Sequence, residues 1–142
     1  MMATDQTQRQ RFAELVKLQL QGRRFLERDQ ERRLLEEGLT RYGLTLEQAT
    51  GVLRSAAEHD SIALEGELGT SSRELLRTLS DKRSRVSRDD FKRAVAFYRA
   101  RTGVPEADAQ KRVKRMMEEL DLRPKPTGRV IRSRRWYRAI NS

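Results

Sequence analysis

The stretch RPKPTGRVIRSRRWYRAINS, Arg123 to Ser142, is where the residue types of this chain suggest chemistry. It holds seven cations (Arg123, Lys125, Arg129, Arg132, Arg134, Arg135 and Arg138) and no acid. Arginine offers a planar fork of donors to phosphate oxygens, and Trp136 and Tyr137, set among the arginines, can stack on unpaired bases for about 1–3 kcal/mol each. Arg129, Arg132, Arg134, Arg135, Trp136, Tyr137 and Arg138 are therefore the candidate binding residues, with nucleic acid as the first-ranked partner. Val130, Ile131, Trp136, Tyr137 and Ile140 also want burial, so docking on an acidic or apolar surface of another protein ranks second, and anionic lipid is a further reading. A secondary basic patch, Lys82, Arg83, Arg85, Arg88 and Lys92, with Arg93 beside it, surrounds an expected helix start at Ser87, where unpaired N–H groups attract phosphate. Asp81, Asp89 and Asp90 lie among these cations, and a solvated face with local ion pairs is at least an equal reading of them.

Other chemistry is poorly provided for. The chain of 142 residues has no cysteine and a single histidine, His59, which excludes thiolate metal sites, disulfides and a histidine cluster within one chain. The phosphate loop GxxxxGK[ST], the dinucleotide motif GxGxxG and the GxSxG elbow are all missing. Glu36-Glu37 and Glu118-Glu119 are adjacent residues that point apart on a helix. No catalytic residue, metal or cofactor is expected, and the chain reads as a binding protein. A helix–turn–helix reader of base edges is disfavoured, because the helix after Gly43 leads with Glu47, which would repel phosphate. The helix carrying Lys111, Arg112, Lys114 and Arg115 has better cations but opens with Glu106 and Asp108.

The charge is unevenly distributed. Of the net +10, residues 1–40 carry +1, 41–70 carry −3, 71–100 carry +5, 101–122 carry zero and 123–142 carry +7. Self-repulsion disfavours compacting such a block unless a polyanion neutralises it. With 36% hydrophobic and 37% charged residues, one domain with a small core is expected. No apolar run reaches the ~18 residues of a membrane span, and the polar stretch Met1 to Gln10 does not suit a signal peptide, so a cytoplasmic location is expected.

Apolar spacing predicts the elements that must hold these segments. A first helix over about 4–21 carries Phe12, Leu15, Val16 and Gln19, and a second over about 28–42 carries Leu34, Leu35 and Leu39, with Gly43 as its left-handed cap. Thr45 and Gln48 form a capping box for a third helix through Leu46, Ala49, Leu53, Ala56 and Ala57. After a break over 59–69, Ser71 and Glu74 cap a short fourth helix with Leu75, Leu76 and Leu79. Ser87 caps a fifth helix with Phe91, Ala94, Val95 and Tyr98, ended by Gly103, and Pro105 opens a sixth with Ala109, Val113, Met116, Met117 and Leu120. Slid against itself by sixty residues, the chain aligns Arg28-Asp29 with Arg88-Asp89, Gly43 with Gly103, Ala49 with Ala109 and Leu53 with Val113.

These repeated units, helix, glycine turn and second helix over about residues 28–60 and 81–120, resemble the helix pairs of tellurite-resistance-B-like domains and, more distantly, degenerate EF-hands. The resemblance implies an all-helical fold and carries over no ligand residues. In the stretch DKRSRVSRDDFK, Asp81 to Lys92, only Asp81 fits a calcium loop, with Arg83, Arg85, Val86 and Lys92 at the other required positions. The expectation is an all-α protein: a compact bundle of five to six helices from two related helix pairs (about 28–60 and 88–120) as a helical domain over 1–122. An extended Arg-rich C-terminal arm follows over 123–142. The expected function is non-enzymatic binding of RNA or DNA with low sequence specificity. The alternative is a protein–protein adaptor, or a subunit of a larger complex, whose arm docks on a partner.

Overall fold

The computed structural model describes residues 2–128 and 131–140, and the chain divides into two compact units, residues 1–66 and 67–142. The first contains α1 (Met2–Leu20), β1 (Phe25–Leu26), α2 (Arg28–Thr40), α3 (Leu46–His59) and β2 (Ala63–Leu64). Next comes α4 (Glu65–Leu79), and the second unit continues with β3 (Arg85–Val86), α5 (Arg88–Thr102), α6 (Glu106–Glu119), β4 (Arg123–Pro124) and α7 (Arg135–Arg138). The class is all-α, since each strand has only two residues. No described helix is long and apolar enough to cross a membrane.

The first unit is built on contacts of α3 with α1 and α2. Phe12, Val16 and Leu20 recur at i, i+4 and i+8 on α1 and meet Ala49, Leu53, Ala56 and Ala57 of α3, with Leu34 closing the core from α2. Gly38 lets α2 come close: a Cβ there would lie 2.9 Å from Phe12 Cζ and 3.0 Å from the Ala49 Cβ. Leu39, expected on the stripe, is consequently turned outward and 38% exposed. Thr45 and Gln48 form the expected capping box, with Gln48 N–H donating to Thr45 Oγ1 at 3.1 Å and Thr45 N–H donating to Gln48 Oε1 at 3.0 Å.

The elements of the second unit fall sixty residues after those of the first. β3 follows β1, α5 follows α2, α6 follows α3 and β4 follows β2 at that interval. The hydrogen bonds follow suit: Ala63 N–H donates to Arg24 O at 2.9 Å, and Arg123 N–H donates to Ser84 O at 2.8 Å. Each strand pair is parallel, Phe25 opposite Ala63 and Arg85 opposite Arg123. Gly43 and Gly103 both take positive φ, +65° and +72°. Phe91, Ala94, Val95 and Tyr98 of α5 are buried, as are Ala109, Val113, Met116 and Met117 of α6.

Two further expectations are corrected. Ser71 does not start the fourth helix. That helix begins at Glu65, directly after β2, whose pairing with β1 fixes the backbone there; the Glu65 carboxylate accepts the Arg28 N–H at 2.6 Å. The helix then runs through Gly66 and Gly69, and the only close neighbour of a Cβ at Gly69 would be the flexible Arg73 side chain. The C-terminal segment, expected as an extended arm, instead folds onto its own unit, because Trp136 and Tyr137 find an apolar partner within this chain.

Candidate nucleic-acid interface

The returning segment starts as β4. Lys125 N–H donates to Val86 O at 2.9 Å, and Thr127 and Ser133 then bridge in antiparallel fashion, their amides bonding each other's carbonyls at 2.7 and 2.8 Å. Beyond that bridge the single turn of α7 lays Trp136 and Tyr137 against Phe91, with ring centroids 5.4 and 6.4 Å away. Trp136 and Tyr137 also meet edge to face at 5.6 Å. Trp136 Nε1–H donates to Lys125 O at 2.9 Å, and Tyr137 OH donates to Lys114 O at 3.4 Å. Lys114 reaches over from α6: its Nζ lies 4.7 Å from the Tyr137 ring centre and donates to the carbonyls of Tyr137 and Ile140 at 3.2 and 2.7 Å. Burial, with the nearby Glu118 charge, pushes the Tyr137 phenol up to about 12.

This docking sets the arginines. Arg132, Arg134, Arg135 and Arg138 are exposed, and among the described residues none of the four pairs with a carboxylate. Arg134 Nε is held by a carbonyl, Pro124 O, at 3.1 Å. Arg135 and Arg138 are three apart on α7 and so share a side of that turn. Arg129 and Val130 lie outside the described residues.

The fold brings the secondary patch to the same place. Phe91, the anchor of the returning segment, lies one residue before Lys92 on the first turn of α5, and Arg85 on β3 is in register with Arg123. Lys82, Arg83, Arg88 and Lys92 are exposed. Arg85 is half-buried and ion-paired to Asp81, Nε to Oδ2 at 3.0 Å, and the same oxygen lies 3.5 Å from Lys125 Nζ. Asp81 thus ties the β3 loop to β4. Partial burial acts to raise its carboxyl, but the N–H groups of Arg85 and Arg83 and the Arg85 guanidinium outweigh that and hold it at about 2. Of the acids expected to pair locally, Asp90 does so with Arg93 at 3.3 Å, and its own N–H caps onto Ser87 Oγ at 3.1 Å.

Phe91, Lys114 and Asp81 position the segment, a role the sequence did not assign to them. Phe91 reads there as an ordinary core residue of a helix stripe, and nothing local marks which aromatic a distant tryptophan will meet. In the first unit, a groove of about 920 Å3 between α1 and α3 is lined by Arg9, Ala13, Lys17, Gly51, Val52 and His59 among others. His59 sits at its end, its Nδ1 3.0 Å from Asp60 Oδ1, with most of its side chain in solvent. Among the described residues no three histidine or acidic side chains gather as metal ligands. No family model matches the chain, and no curated protein or solved structure does either.

Proposed function

We propose that the second unit binds nucleic acid, RNA or DNA, without enzymatic activity and with little sequence preference. Arg132, Arg134, Arg135 and Arg138 contact phosphates, and Lys82, Arg83, Arg88 and Lys92 extend the footprint. One observation carries this reading. The second unit holds 21 Lys and Arg against 10 Asp and Glu, a net +11, while the first holds 10 against 11, a net −1. The whole excess of the chain therefore lies in the unit where the two basic segments meet. A cationic surface of that kind attracts a polyanion and gains free energy by releasing its counterions.

The expected signature is a linear fall of log affinity with log salt, at a slope of roughly −0.9 per phosphate neutralised on a duplex. Replacing Arg132, Arg135 and Arg138 together by glutamine removes three exposed cations that hold nothing in place among the described residues. The slope should flatten by about 3 while the fold is kept. A triple variant with unchanged affinity and slope, measured by fluorescence anisotropy on a labelled oligonucleotide, would refute the assignment. The adaptor reading keeps one specific support: Ile131, between the bridge residues Thr127 and Ser133, is 81% exposed. Trp136, its expected anchor, is already occupied within the chain.

A further inference from the structure

Resting on that reading, we infer that the preferred polyanion is a nucleic-acid duplex gripped along its phosphates, not a single strand held by its bases. Binding to single strands without sequence preference depends on aromatic side chains on which successive bases stack. Here the aromatics of the cationic segment are committed elsewhere. Trp136 packs on Phe91 and Tyr137 and spends its only donor on Lys125 O. Tyr137 is covered on its ring by Lys114 and bonded through its hydroxyl. In the same unit Phe97 carries the Arg101 guanidinium 3.6 Å from its ring centre, and Tyr98 is buried. Most open to a ligand are the exposed guanidinium groups of Arg132, Arg134, Arg135 and Arg138, carried on a backbone held by the Thr127–Ser133 bridge and the α7 turn.

Cations spaced along a held backbone suit a ligand whose phosphates are themselves fixed in space, and phosphate contacts position a duplex without reading its bases. Duplex DNA also packs one negative charge per ~1.7 Å of axis, twice the density of one of its strands, so more counterions are released per length covered. A flexible single strand would instead give up freedom to match the array and receive no stacking in return.

Trp136 is the only tryptophan of the chain, so its emission reports directly on the ring in question. The full-length protein is titrated with a DNA duplex, an RNA duplex, oligo(dT) and oligo(U) of equal nucleotide length, following both labelled-ligand anisotropy and tryptophan emission. The expected result is duplex binding at least about tenfold tighter than single-strand binding at the same salt, with Trp136 emission unchanged at saturation. Single strands bound as tightly as duplexes, or a Trp136 emission quenched on binding, overturns this inference while leaving nucleic-acid binding in place. Absence of salt-dependent binding to all four probes overturns the proposed function itself.

Discussion

Replacing Trp136 by alanine tests the docked segment at its anchor. Three interactions go with the indole: the ring contacts with Phe91 at 5.4 Å and Tyr137 at 5.6 Å, and the Nε1–H bond to Lys125 O at 2.9 Å. Aromatic pairs contribute about 0.5–1.5 kcal/mol each beyond area burial, and a neutral hydrogen bond nets about the same. Taking each near its lower half, because Trp136 is only half-buried and the three share one side chain, gives a loss of about 2 kcal/mol. That corresponds to a roughly 30-fold larger population of the undocked segment. Hydrogen exchange read by mass spectrometry on peptides covering 123–140 measures this population through the amides of Arg123, Lys125, Ser133 and Ala139, which bond to Ser84, Val86, Thr127 and Arg135 carbonyls. Trp136→Phe keeps a ring on Phe91 and loses chiefly the hydrogen bond, so it should show about a third of the free-energy loss of Trp136→Ala. Exchange in 123–140 as slow in Trp136→Ala as in the parent would refute the anchoring role of Trp136 and leave the strand pairing and the Thr127–Ser133 bridge to hold the segment.

Two further substitutions probe the rest of the framework. Asp81 has its carboxyl held at about 2 against an ordinary value of 3.8, so its ionised form stabilises the folded loop above about pH 4, and that contribution is lost as pH falls through 2. The difference in thermal midpoint between the parent and Asp81→Asn, which keeps an acceptor for both N–H groups but no charge, should therefore shrink to nothing between about pH 4 and pH 2; a difference constant across that window would show that the charge is idle. Gly38→Ala gains up to about 1 kcal/mol of helix propensity but places a methyl 2.9 Å from the fully buried Phe12 ring, an overpacking cost of about 1–3 kcal/mol. A lower urea midpoint is expected, and an unchanged or higher one would mean that α2 and α3 can separate freely.

What could be foreseen from the sequence follows from how local each cause is. Capping acts over three residues, so Thr45 with Gln48 and Ser87 with Asp90 announced their helices, Gly43 announced its left-handed cap and Gly103 the end of its helix. Burial at helical spacing was equally visible in Phe12 and Val16, or in Ala109, Val113 and Met117. Leu39 misled, because the face it was assigned to belongs to Gly38, whose value is an approach distance and not a side chain. The strand pairs lay below any periodic signal at two residues each, and with β2 unseen the start of α4 was placed at Ser71 instead of Glu65. The basic residues themselves were plain. Their gathering was not, because it depends on Phe91 receiving Trp136 and on Asp81 receiving both Arg85 and Lys125.

The way the second unit holds its cations bears on why they are there. A carboxylate beside an arginine fixes the guanidinium and cancels its charge in one step. A backbone carbonyl fixes it and leaves the charge standing. Around the returning segment the acceptors are mostly of the second kind: Pro124 O for Arg134, and Tyr137 O and Ile140 O for Lys114. The same holds further along α5, where Arg99 is bonded to Val104 O and Arg101 to Phe97 O. Carboxylates serve elsewhere in the unit, Glu119 on Arg73 and Asp90 on Arg93, and Asp81 stands where β3 and β4 join, between Arg85 and Lys125, which would otherwise repel across the pairing. The returning segment is thus secured by carbonyls and ring packing, while Arg132, Arg135 and Arg138 stand exposed with no carboxylate partner among the described residues. At Arg134, whose guanidinium is held by Pro124 O with its charge left standing, a phosphate contact would cost less side-chain freedom than at an arginine free to rotate.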